Sequence, residues 1–89
     1  MSEEQEWKVN INLEHVESET VATARLTEHG DRFIGVGRAR RNPADTDIPR
    51  IGEELATARA LSDLANKLID WVSFEIEQHV GKPVMDIHI

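Results

Sequence analysis

Trp7-Lys8-Val9-Asn10-Ile11-Asn12-Leu13 decides where the fold begins, because apolar and polar residues alternate through it without a break. That period of two places Trp7, Val9, Ile11 and Leu13 on one side of a half-buried strand. On the N-terminal side lies an acidic tail, residues 1–6, and residues 7–89 read as a single domain. Going forward, Glu14 to Glu19 is polar and reads as a turn. Thr20 to Leu26 reads as a second strand, with Ala22, Ala24 and Leu26 on one side and Val21, Thr23 and Arg25 on the other. Thr27-Glu-His-Gly-Asp31 carries a glycine suited to positive φ and reads as a hairpin connection. The third strand runs from Arg32 to about Arg40, with Phe33, Gly35, Gly37 and Ala39 on one face and Ile34, Val36, Arg38 and Arg40 on the other. Glycines within a strand read as close approach of the long helix or of another backbone, or as a bulge. Consecutive hairpins give an antiparallel meander.

Asn42 to Pro49 contains two prolines and ends the strand. Asp47 is a candidate N-cap, and Pro49 suits a first helical position. From Ile51 to Val80 the pattern is helical, with Gly81 and Pro83 as a stop. Thirty residues make about 45 Å of helix, long for so small a domain. At 100° per residue, Leu55, Ala58, Leu61, Ala65, Leu68, Ile69, Val72 and Ile76 form a wide stripe expected to cover the sheet. Ala60, Leu64, Trp71 and Phe74 fall on a second strip. One sheet does not use both strips, so Leu64, Trp71 and Phe74 are candidates for a dimer interface, where aromatic residues are enriched. Val84 to Ile89 alternates again and reads as a short C-terminal strand. The fold class is α+β: a three-stranded antiparallel meander, one long helix packed on the sheet, and this added strand.

The chain has 89 residues, no cysteine and a formal net charge of -7. A domain of this size buries only about 60–65% of the surface its unfolded chain exposes, and no disulfide or thiolate metal site adds stability. Dimerisation is the remaining route to more buried area. The acidic N-terminus lacks the pattern of a secretory signal and no apolar run reaches membrane-spanning length, so the expected location is the cytoplasm.

Charge is distributed unevenly. Residues 1–24 hold six Glu against Lys8, and residues 60–89 hold five acids against two lysines. All seven arginines lie between Arg25 and Arg59, and four of them, Arg38, Arg40, Arg41 and Arg50, fall within Gly35 to Arg50. Arg38 and Arg40 project together from one strand face, with Arg41 and Arg50 flanking the next loop. Such guanidinium pairs can hold phosphate or carboxylate, or they can pair with acids of the fold itself. Because nonspecific nucleic-acid affinity comes from phosphate neutralisation, a net charge of -7 permits a small oriented patch and no more.

Enzymatic chemistry finds little support. No motif surrounds Ser18, Ser62 or Ser73 near any of the four histidines. Glu14, His15 and Glu17 share a turn without a spaced ligand set, and Asp45 and Asp47 fit a turn and a cap better than a calcium loop. Gly35-Val-Gly37 lacks the rest of a dinucleotide fingerprint. The expectation is a protein without catalytic residues, cofactor, metal or small-molecule substrate.

The string from Gly35 through Asn42-Pro-Ala-Asp45, Ile48-Pro49, Ile51-Gly-Glu-Glu-Leu55 and Ala58-Arg-Ala-Leu-Ser-Asp-Leu64 to Gly81-Lys-Pro83 resembles a family of small actinobacterial proteins of unknown function. That family is described as having a double-stranded-RNA-binding-domain-like fold, and it includes a mycobacterial dormancy-associated member. The resemblance implies three strands followed by a long helix, a homodimer, and a likeness of that dimer to ribosome hibernation promoting factors. It brings no established binding or catalytic residues. The combined expectation is a non-enzymatic, dimeric, stress- or dormancy-associated factor that binds the ribosome or structured RNA through Arg38, Arg40, Arg41 and Arg50. Its competitor is a protein-interaction or structural dimer that binds no nucleic acid.

Overall fold

A computed structural model of the chain describes residues 3–41 and 48–80. Strands β1 (Val9–Val16), β2 (Glu19–Glu28) and β3 (Asp31–Arg40) form one antiparallel sheet in the order β1-β2-β3, and helix α1 (Pro49–Val80) packs on it. The expected α+β meander and long helix are therefore present. The expected C-terminal strand and the Asp47 cap lie outside the described residues.

Both hairpins close on two residues. The β2–β3 turn has His29 at φ 48° and Gly30 at φ 81°, the paired positive angles whose twist matches the flanking strands. The β1–β2 turn is Glu17-Ser18, with Glu17 at φ 56°. β1 thus extends to Val16, and His15 lies in a strand rather than in the expected solvated turn.

The faces of β2 and β3 follow the alternation of the sequence. Ala22, Ala24 and Leu26 of β2 and Phe33 and Ala39 of β3 are buried under the helix. Gly35 and Gly37 are on the same face, and a Cβ built on either would collide with the helix backbone at Ala56, Ala60 or Leu64. Helix and strand touch main chain to main chain there.

That contact decides which side of α1 faces the sheet, and it is not the stripe of large residues. Ala56, Ala60 and Leu64 are buried in the seam, with Leu68 and Trp71 packed against it. Leu55, Leu61, Val72 and Ile76 are exposed, so the expected sheet-covering stripe is turned roughly 100° away, about one residue step. The physical reason is size, because a floor of glycine and alanine admits a helix only where that helix is also small. Leu64, expected at a dimer interface, lies in the chain's own core at 3% exposure. Trp71 meets Phe33 edge-on (6.0 Å) and stacks on Phe74 (5.6 Å), and only Phe74 of the three interface candidates is largely exposed.

The helix sits over β2 and β3 and meets β1 sparsely. Every residue of β1 is exposed. On the far side, three helix side chains cap the outer edge of β3: Val36 N–H donates to Asp63 Oδ2 (2.8 Å), Lys67 Nζ to Ile34 O (2.7 Å), and Arg59 Nη1 to Arg38 O (2.7 Å). A covered edge cannot take another strand.

Candidate functional site: the open face of the sheet

Among the described residues, no element covers the face opposite the helix. The registers Val9↔Leu26 to Val16↔Glu19 and Glu19↔Arg40 to Glu28↔Asp31 bring Asn10, Asn12, Glu14 and Val16 together with Glu19, Val21, Thr23, Arg25 and Thr27. Arg32, Ile34, Val36, Arg38 and Arg40 complete that face. Within the strands it holds four arginines against two glutamates, in a chain whose net charge is -7.

Arg38 and Arg40 lie on it together, as expected. Arg38 Nη1 is held by Glu19 Oε1 at 2.9 Å, and both groups are partly solvated. Arg41 begins the following loop and its N–H donates to Ser18 O (2.9 Å), which extends the β2–β3 ladder. Arg40 and Arg41 also line a hollow of about 550 Å³ with His15, Thr20, Pro49 and Gly52. Arg50 does not join them. It pairs with Glu54 at 2.9 Å in the first turn of α1 and lies beside Leu13 and Leu61, in the helix layer. The four-arginine cluster expected from the sequence is therefore two arginines on the face, one at its end, and one elsewhere.

A second group, not anticipated, stands at the other end of the face. Arg25, Arg32 and Lys8 line a concavity of about 850 Å³ together with Glu6, Glu28, Asn10, Thr27 and Trp7, whose indole meets His29 edge-on at 6.3 Å. Trp7 is 54% exposed. An exposed ring beside cations offers a stacking platform next to phosphate-binding groups. The signal was in the sequence, since a two-residue turn at His29-Gly30 forces Thr27 opposite Arg32 and sets Arg25 diagonal to it.

At the helix start, His15 Nε2–H donates to Glu53 Oε2 (2.8 Å), which leaves Nδ1 to accept from Thr20 Oγ1 (3.2 Å). The order hydroxyl, imidazole, carboxylate resembles a nucleophilic triad. Thr20 is 7% exposed, at the wall of the hollow that Arg40 and Arg41 also line. The trio ties the end of β1 to the first turns of α1. Among the described residues no group of three or more His, Asp or Glu is arranged to hold a metal ion, and no helix is long and apolar enough to cross a membrane.

This architecture recurs in proteins of similar sequence. The uncharacterised protein Rv2632c of Mycobacterium tuberculosis (strain ATCC 25618 / H37Rv) is 44% identical over 81 residues, 91% of this chain and 87% of that protein. The uncharacterised protein Mb1767 of Mycobacterium bovis (strain ATCC BAA-935 / AF2122/97) is 43% identical over 79 residues, covering 89% and 84%. The crystal structure of Rv2632c superposes with a TM-score of 0.84 at 41% identity, over 92% of this chain and 98% of that one. The profile of the Rv2632c-like family matches residues 5–85, so the chain belongs to the Rv2632c-like family.

Proposed function

We propose that this protein is a non-enzymatic, dimeric, stress- or dormancy-associated cytoplasmic factor that docks on structured RNA, ribosomal RNA foremost, through the open face of its sheet. The observation that carries the reading is the concentration of Arg25, Arg32, Arg38 and Arg40 on one uncovered face of an acidic chain. Phosphate contacts from such a face supply affinity and orientation without a sequence code. The acidic remainder confines binding to that face. The meander-then-helix order is in keeping with a double-stranded-RNA-binding-like fold, and the resemblance to dormancy-associated proteins supplies the setting.

A second reading is favoured by the ion pairs Arg38–Glu19 and Arg50–Glu54: the arginines serve the fold, and the dimer binds proteins or is structural. Co-sedimentation with purified ribosomes separates the two. The RNA reading expects the protein in the ribosomal pellet, and expects Arg25→Gln/Arg32→Gln/Arg38→Gln/Arg40→Gln to leave the pellet while its circular dichroism is unchanged. Arg50→Gln should pellet as the parent does. A parent protein that stays in the supernatant, or a quadruple variant that pellets equally, contradicts it.

A further inference from the structure

We infer that two copies of this chain join β1 to β1, antiparallel about Ile11, into one continuous six-stranded sheet. This rests on the dimeric part of the reading above and says which surface builds the dimer.

The two edges of the sheet are treated differently. The outer peptide groups of β3 at Ile34, Val36 and Arg38 are occupied by Lys67, Asp63 and Arg59. Because antiparallel pairs alternate in their hydrogen bonding, the same phase carried through both registers turns the peptide groups of Val9, Ile11, Leu13 and His15 outward on β1. Among the described residues no helix side chain bonds them as Lys67, Asp63 and Arg59 bond β3, and β1 has no proline, bulge or inward-pointing charge to discourage pairing.

The same residues carry the uncovered apolar surface. Val9, Ile11 and Leu13 point to the helix side of the sheet, yet are 38–40% exposed. Leu13 and Leu61 line one hollow between strand and helix. The core beneath the helix is thin, since five of its eight residues are alanine, while thirteen large hydrophobic residues among those described stand exposed. A monomer of this composition leaves many of its larger apolar side chains exposed. Dimer interfaces are where such residues are buried.

The charge order of the strand selects a second copy as the occupant and fixes the register. Pairing about Ile11 sets Lys8 opposite the partner's Glu14, Asn10 opposite the partner's Asn12, and Val9 opposite the partner's Leu13. Pairing about Asn12 would set Lys8 against the partner's Val16, and pairing about Leu13 would set Glu14 against the partner's Asn12. The register about Ile11 alone of the three makes an opposite-charge pair, and the twofold axis makes it twice. Both helices then lie on one side, flanking a shared apolar floor. The open faces merge on the other side, so that eight arginines share one surface.

Sedimentation equilibrium and amide hydrogen exchange test this together. The parent should be dimeric at micromolar concentration, with the Ile11 and Leu13 amides protected in the dimer and exchanging faster on dilution. Lys8→Glu and Glu14→Lys should each weaken the dimer about ten-fold, and the double variant should restore it to within about three-fold. Ile11→Pro, which removes only an outward N–H, should weaken it by about a hundred-fold or more. A dimer indifferent to all four variants places the interface elsewhere and overturns this inference alone. A monomer with protected Ile11 and Leu13 amides means that the chain's own segment covers β1, which also overturns it. A monomer with exposed amides removes the dimer altogether, whereas RNA binding is read independently by ribosome co-sedimentation.

Discussion

Gly37 lies directly beneath Ala60, so close that a methyl group on the glycine would occupy the space of the Ala60 amide nitrogen and the Ala56 carbonyl. Backbone on both sides leaves no rotamer to relieve the clash. The pair fixes which side of the helix meets the sheet, and with it which apolar residues remain for other partners.

Gly37→Ala should accordingly destabilise the fold by about 1–3 kcal/mol or more through overpacking. Urea unfolding followed by circular dichroism checks this. A variant as stable as the parent would mean that the seam can open without loss.

Trp71 Nε1 is buried without a hydrogen-bond partner among the described residues. An orphaned buried donor costs roughly 1–3 kcal/mol, while the ring contributes an edge contact with Phe33 and stacking on Phe74. Trp71→Phe should therefore stay within about 1 kcal/mol of the parent, because the lost area is offset by removal of the orphan. Trp71→Ala should lose about 2 kcal/mol or more. Equal losses in thermal unfolding would contradict this division.

Asp63 caps β3 through the Val36 N–H, and that bond, then Lys67, holds its carboxyl below the ordinary value of 3.8. A depressed folded pKa means stability present above pH 3.8 and lost as the pH falls through the lower, folded value. Asp63→Asn should be less stable than the parent at neutral pH. The gap should close as the pH drops below 3.8. Chemical denaturation at pH 7, 4 and 2.5 measures this, and a gap that widens in acid would contradict the assignment.

Much of this architecture was legible because its signals are local. Alternation gave the faces of Val9 to Leu13 and of Phe33 to Ala39, His29-Gly30 gave the hairpin, and Pro49 the helix start. The helix face was misread because periodicity weighs apolar bulk, and bulk points to Leu61 and Val72, whereas Gly35 and Gly37 demand Ala56 and Ala60. The bond from His15 to Glu53 spans 38 positions and has no local signal. Of the cationic face, Arg38 and Arg40 were visible as neighbours on one strand. Arg25 and Arg32 required the register of the hairpin, and Arg50 was misplaced because sequence proximity to a loop says nothing about the layer on which a helix residue stands.

The claim that the open face holds structured RNA is tested most directly by the salt dependence of binding to a ribosomal RNA fragment. Log affinity against log salt should fall linearly, with a slope reduced by about one for each arginine removed from the set Arg25, Arg32, Arg38 and Arg40, and unchanged by Arg50→Gln. A slope that the four face substitutions leave unaltered, or an RNA that does not bind at low salt, would contradict it.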